Sequence, residues 1–306
     1  MKIAYLLLVH NAPDHVRRLV RSLEHPDARI FMHVDKKSRL SDFEALAAQG
    51  VRFTPNRVSV YWGDYSQVDA IFELMRTALA DPEPIDRFVL LSGVDYPVHS
   101  MSFIHDFFER QRDTEFLNIV EMPNDKEGKP ESRLAVRIAR PGPFRRVQRV
   151  LLKAGLVKEW RDYRQYLEGL TPYGGSTWWA LTRPCVQHIL DFAEAHPALA
   201  HYFSTTACAD ETFIHTIVAN SLFMPRVKRN VTRNYWSPGK SSPETFDMAL
   251  VKDVMRERQF PQESFHGRGD ILFARKFPND SQALVAYIDS LRDRVGVLDL
   301  EEAQAA

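Results

Sequence analysis

Three apolar runs, separated by stretches with helical spacing, constrain the fold of this chain more than any single residue does. Ile3 to Val9, Arg29 to Val34 and Phe88 to Leu91 read as strands, and their near-continuous hydrophobicity is the pattern of parallel strands buried on both faces. Asp14 to Leu23, opened by Pro13 and Asp14, reads as a helix, as do Ser41 to about Ala48 and Ser66 to Leu79, with a further short strand expected near Val58 to Tyr61. Such alternation predicts an α/β fold in which a mostly parallel central sheet is flanked by helices, and ligands of such sheets sit at the carboxyl ends of the strands. His10, Asp35 and Ser92 through Asp95 all fall at those ends, so they converge on one expected crevice.

The rest of the chain changes character twice. Met122 to Leu170 is polar and broken by Gly128-Lys129-Pro130 and Pro141-Gly142-Pro143. Between Arg133 and Leu170 there are ten Lys or Arg against three Asp or Glu, a local excess of seven positive charges in a chain of net charge zero. Within it, Phe144 to Leu156 alternates basic and apolar residues as a basic amphipathic helix does, with Arg145, Arg146, Arg149 and Lys153 as its cations. That face would meet an anionic membrane or an anionic acceptor, or simply be solvated. Beyond it, a strand at Trp178 to Thr182 precedes helices at about 183–195, 210–220 and 247–256 and a last one from Ser281 to about Arg294. The expected organisation is one domain over 1–300: a nucleotide-binding half (1–100), the basic variable segment (122–170) and a catalytic and acceptor half (171–280).

Composition excludes several classes. With equal numbers of acidic and basic residues and a pI near 7.2, the 306-residue chain has no nucleic-acid signature. Two cysteines, Cys185 and Cys208, are too few for a disulfide scaffold and fit a reducing compartment as small buried apolar groups. Met1 to His10 mimics a signal peptide, yet it is short and no small-residue cleavage site follows, and nowhere does the chain reach about 18 consecutive apolar residues. Gly239-Lys240-Ser241 resembles the end of a P-loop, but the glycine such a loop needs five positions earlier is Asn234. No nucleophile elbow, Rossmann glycine fingerprint or zinc spacing is present.

The chemistry concentrates at Ala209-Asp210-Glu211-Thr212-Phe213. Phe213, Ile214, Ile217 and Val218 repeat at helical spacing, so Asp210 reads as an N-cap and Glu211 as a first-turn residue held ionised by the helix N-terminus. Such a carboxylate suits a general base; acidic residues also gather at helix starts for stability alone. Upstream lie Tyr173 to Leu181, including Gly174-Gly175-Ser176 and Trp178-Trp179, and downstream Leu272-Phe273-Ala274-Arg275-Lys276-Phe277. Glycines allow close backbone approach to a ligand or merely a turn, and Trp178, Trp179 and the Trp62-Gly63-Asp64 cluster could stack on sugars or pack a core.

Taken in order, these segments, with the N-terminal strand and helix, His33-Val34-Asp35 and Ser92-Gly93-Val94-Asp95-Tyr96-Pro97, resemble the core-2/I-branching glycosyltransferase family over about Met1 to Lys276. That family contains β-1,6-N-acetylglucosaminyltransferases and peptide O-xylosyltransferases. The resemblance implies a GT-A-type fold and inverting transfer from a UDP-sugar to a hydroxyl of a glycan, lipid-linked or protein acceptor. Glu211 would be the base, Asp35 would lie by the nucleotide base, and Arg233 and Lys276 would contact the diphosphate, with Arg229 or Arg226 as alternatives to Arg233. His10 and Asp95 complete the expected donor site; Gly175, Ser176, Trp178 and Trp236 are the expected acceptor contacts. Because no Asp-Xaa-Asp triplet occurs, no divalent metal or other cofactor is expected, Arg and Lys supplying the charge instead. The first donor expected is UDP-N-acetylglucosamine, with UDP-xylose next; a non-catalytic nucleotide-sugar-binding protein is the alternative of another class. Animal members usually carry a membrane anchor and luminal disulfides, so the expectation here is a cytoplasmic, bacterial-type member, peripheral at most to the inner face of a membrane.

Overall fold

Alternate side chains of the first strand feed two separate cores. Ile3, Tyr5, Leu7 and Val9 enter one hydrophobic layer while Ala4 and Leu6 enter the other, as the two-residue period of a strand requires when both faces are covered. The computed structural model describes every residue except 142–144, 157–158, 238, 241 and 293–306.

Strands β1 (Ile3–Val9), β2 (Ala28–Val34) and β3 (Arg52–Phe53) pair in parallel, with helix α1 (Pro13–Ser22) crossing between the first two. Helix α2 (Ser66–Leu79) returns the chain to β4 (Arg87–Ser92), which pairs in parallel with the opposite edge of β1. After β5 (Asp95–Pro97) and α3 (Met101–Arg110) come β6 (Glu115–Phe116), β7 (Val120–Glu121), α4 (Ser132–Ala135) and α5 (Arg145–Lys153). The C-terminal half supplies β8 (Tyr173–Gly174), β9 (Ala180–Thr182), α6 (Arg183–Ala195), α7 (Pro197–Phe203), α8 (Phe213–Ala219), β10 (Val227–Lys228) and β11 (Thr232–Asn234). It ends with α9 (Met248–Glu257), the β12 (Gln259–Phe260) and β13 (Gly269–Asp270) hairpin, β14 (Phe273–Arg275) and a helix described over 282–292.

The main sheet has seven strands in the order β10-β6-β9-β4-β1-β2-β3, with only β9 running antiparallel to its neighbours. One face carries α1, α3 and α9, the other α2, α6, α7 and α8, which is the expected α/β class. A second sheet, β11-β14-β5, sets Arg275 opposite Asp95 and Arg233 beside Ala274. Among the described residues no helix is long and apolar enough to cross a membrane.

Three local expectations need correction. Residues 41–48 form 3-10 turns at Leu40–Asp42 and Glu44–Gln49 rather than one α-helix. Val58 to Tyr61 is not a strand: the short third strand is Arg52–Phe53, Pro55 intervenes, and Val58 instead donates its amide to His33 Nε2 at 2.9 Å while accepting from the Lys36 amide. The helix expected over 210–220 starts only at Phe213, because Ala209–Glu211 forms a separate 3-10 turn after a left-handed Cys208. Part of the expected 281–294 helix, and Gly142 and Pro143 of the Pro141-Gly142-Pro143 break, lie outside the described residues.

Candidate active site

Strand order reverses between β1 and β4: the chain runs from β1 outward through β2 and β3, then returns to the other side of β1. Connections on either side of such a point diverge and leave a crevice beyond the strand ends. A cleft of about 1050 Å³ opens there, lined by His10 and Asn11 after β1, Asp35 after β2 and Ser92 and Val94 after β4. Its lining cations are Lys37, Lys129, Arg133, Arg229, Arg233, Lys240, Arg275 and Lys276, against the acids Asp35, Glu127, Asp210 and Glu211. That excess suits a multiply charged anion.

Glu211 is placed by its backbone. Its amide donates to Cys208 O at 3.0 Å, and its carbonyl accepts from the Gly175 amide at 2.9 Å. A Cβ on Gly175 would stand 1.8 Å from Asn118 O and 2.7 Å from the His215 ring, so only glycine lets these segments meet. The close approach at Gly175 is therefore to protein, which fixes Glu211 in the cleft. His215 is buried and donates Nε2–H to Ser176 O at 3.0 Å; burial, aided by Lys129, pushes its pKa down to about 3.

The carboxylate of Glu211 accepts from Lys129 Nζ at 2.5 Å and from Arg133, both at Oε2. Among the described residues Oε1 has no partner. Burial pushes this carboxyl upward, but Lys129 and Arg133 outweigh it and hold the pKa below the ordinary value. Ionisation of Glu211 thus comes from two side chains rather than from a helix N-terminus. Nor is Asp210 an N-cap: its buried Oδ2 accepts from Thr177 Oγ1 at 2.7 Å, and burial together with the charge of Glu211 raises its pKa.

Arg233 sits on β11, over the ring of Tyr235 at 4.5 Å, and pairs with Glu257 at 3.0 Å. Arg229 also lines the cleft, 3.5 Å over Phe260, whereas Arg226 is exposed on a 3-10 turn outside the cleft lining. Lys276 is half-buried, and among the described residues its ammonium has no partner. Burial and the neighbouring Arg275 lower its pKa, Asp95 opposing them. Asp95 itself does not line the cleft. Fully buried below it, the carboxylate accepts from Arg275 Nε at 3.0 Å and from the Ser92 amide at 2.9 Å, leaving no oxygen to meet a ligand.

Asp35 caps its own turn, Oδ1 accepting from the Lys37 amide at 2.9 Å, and still lines the cleft. His10 follows β1 at the rim, its pKa lowered by burial against the pull of Asp35. Both adjacent tryptophans are buried in the same hydrophobic core; Trp178 also lines the cleft, its ring 4.2 Å from the Arg275 guanidinium. Trp236 and Trp62 stand at the rim, 55% and 79% exposed, and Ser176 lies on the floor. Cys208 also lines the cleft, its thiol pushed up to about 11 by burial, so it is inert there.

Sequence reasoning missed Lys129, Arg133 and Arg275. Lys129 reads locally as part of a Gly-Lys-Pro break, and nothing in the sequence ties it to a residue 82 positions away. Arg275, beside Lys276 in the same run, was within reach of an argument that asks what neutralises Asp95. Among the described residues no group of three or more His, Cys, Asp or Glu is placed to hold a metal ion.

A family model described as "Branch: Core-2/I-Branching enzyme" matches residues 3–260. Among curated proteins, chimpanzee (Pan troglodytes) xylosyltransferase 2 is 30% identical over 229 residues, 72% of this chain and 25% of its own length. Human (Homo sapiens) xylosyltransferase 1 is 29% identical over 229 residues, again 72% of this chain but 22% of its own length. The chain thus spans about a quarter of the length of the curated relatives it matches. Among solved structures, mouse xyloside xylosyltransferase 1 in its apo form aligns at 12% identity over 89% of this chain and 97% of that one, with a TM-score of 0.36 too low to bear on the site.

Proposed function

The chain belongs to the core-2/I-branching enzyme family, a family of glycosyltransferases, and we propose that it moves a sugar from a UDP-sugar to an acceptor hydroxyl with inversion and without a divalent metal. The observation that carries this reading is the coexistence, in one cleft, of an ionised carboxylate with a free oxygen and a group of cations. Oε1 of Glu211 takes the proton of the attacking hydroxyl as the anomeric carbon is approached from the face opposite the nucleotide. Arg233 and Lys276 hold the departing diphosphate, whose charge grows as the bond breaks, so their attraction is strongest in the transition state. Lys129 and Arg133 keep Glu211 charged and fixed between turnovers. Asp35 and His10 border the nucleotide, and Ser176, Trp178 and Trp236 border the acceptor, with Trp faces available for sugar rings. Asp95 supports the site through Arg275 rather than touching the donor.

Two donors deserve testing: UDP-N-acetylglucosamine, the expectation from the family's N-acetylglucosaminyltransferase branch, and UDP-xylose, favoured by the names of the curated relatives. The acceptor is a hydroxyl of a glycan, a lipid-linked glycan or a protein, and the expected location is the cytoplasm. UDP release measured across a donor panel, with Glu211→Gln as control, tests the reading. Glu211→Gln should keep donor affinity and lose about 10²–10⁴-fold in turnover, the usual cost of removing a general base. A protein that binds UDP tightly yet releases none from any donor would instead be a nucleotide-sugar-binding module.

A further inference from the structure

The two ends of the basic arm, residues 136–160, lie together on the fold. Val136 bridges to Trp160, the Arg137 amide donates to Glu159 O at 2.7 Å, and the Ile138 amide donates to Thr205 O at 2.9 Å, so both ends of the excursion are pinned together. Its base adjoins the cleft: Arg133 of α4 reaches Glu211, and Arg140 stands 3.7 Å from Asp64 beside the Trp62-Gly63 rim. Between these pins, none of the described residues of α5 belongs to either hydrophobic core, Leu151 and Leu152 being half-buried.

What α5 exposes is unusual for a solvated helix. Val147 and Val150 are 55% and 63% exposed, and Leu156 and Trp160 just beyond are 75% and 56% exposed. Val147, Val150, Leu151 and Ala154 follow the i, i+3, i+4, i+7 spacing of one helical stripe. Arg146, Arg149 and Lys153, all exposed, follow i, i+3, i+7 and form the adjoining stripe. Uncovered valines beside a row of cations cost hydration if left in water, and they match the boundary of a bilayer, where methyl groups enter the acyl region and guanidinium groups reach lipid phosphates. We propose that this arm docks on an anionic lipid bilayer, its apolar stripe inserted and its arginines against the headgroups, which brings the neighbouring cleft to the membrane surface. The proposal does not depend on which sugar is transferred.

Cosedimentation of the full chain with phosphatidylcholine vesicles, and with phosphatidylcholine vesicles containing phosphatidylglycerol, tests it. Binding to the anionic vesicles alone, weakened by salt, is expected. Two surface variants, Val147→Asp with Val150→Asp and Arg146→Glu with Arg149→Glu, should each weaken it by about tenfold or more while thermal unfolding and UDP release with a soluble acceptor stay unchanged. Absence of binding to anionic vesicles overturns the proposal. So does retention of binding by the aspartate variant when the glutamate variant is released, since that marks a plain cationic surface. Donor turnover is measured separately, so failure of the enzymatic reading is told apart from failure of the docking.

Discussion

The ammonium of Lys129 stands 2.5 Å from Oε2 of Glu211, a residue of the cleft lining, and shares that oxygen with Arg133, so that among the described residues Oε1 of the same carboxylate has no partner. This one contact ties the basic middle of the chain to the candidate base. It also sets the pH behaviour of the site.

Burial alone would raise the pKa of Glu211, but the two cations prevail and the folded value lies below the unfolded one of about 4.3. The pair therefore stabilises the fold at pH above the unfolded value, and that contribution is lost as pH falls through the folded value. The acid limb of the kcat/KM profile should accordingly lie below the ordinary glutamate range. Lys129→Met should move that limb upward, with the folded protein less stable at neutral pH than wild type. A limb that stays in place would remove Lys129 as the source of the shift.

Asp95 and Arg275 form a buried pair at 3.0 Å that links β5 to β14. Asp95→Asn would leave a buried guanidinium without its counter-charge, a change that costs about 3–5 kcal/mol in such pairs. Thermal or urea unfolding should register it. The double variant Asp95→Asn with Arg275→Met should be more stable than Asp95→Asn alone, and equal loss in both would show that the charge pair is not the cause.

Gly175→Ala should damage the site through packing. The added methyl would meet Asn118 O at 1.8 Å and the His215 ring at 2.7 Å, so the Gly175 segment must move off both neighbours, at a cost toward the upper end of the about 1–3 kcal/mol typical of overpacking. Turnover should fall with stability, since the Gly175 amide holds Glu211 O at 2.9 Å. A variant with wild-type melting and turnover would mean that the turn relaxes without consequence.

On the proposed mechanism, in which Arg233 and Lys276 supply the positive charge at the leaving group, turnover should survive exhaustive EDTA treatment. Lys276→Ala should lower turnover more than stability, since its ammonium has no partner among the described residues. Loss of activity in EDTA with recovery on Mn²⁺ would refute the metal-free mechanism.

Much of the frame was legible because it rests on local rules. The runs Ile3 to Val9 and Phe88 to Leu91 could only be buried strands, and Ser66 to Leu79 matches its helix to the residue because one apolar stripe and its ends agree. Strand ends then gave the crevice, and with it His10 and Asp35 on its wall. Local rules failed where a residue's partner is distant. Asp210 and Glu211 look like the start of a helix, yet Cys208, held at 2.8 Å to Gly63 O in a left-handed conformation, closes a separate turn there. Asp95 looks like a ligand-facing end residue, yet β14, 180 positions later, lays Arg275 against it.

The sequence by itself determined the long buried strands and the helices with a clear apolar stripe, that they form a layered α/β sheet, and at which end of it a ligand would sit, because hydrophobic period and chain direction are written in neighbouring residues. Only the tertiary structure decided that Lys129 and Arg133 keep Glu211 ionised, that Asp95 is spent on Arg275, and that Val147 and Val150 of α5 stay exposed. Charge and burial act through space, and the groups that set them are brought together by the sheet order rather than by their spacing along the chain.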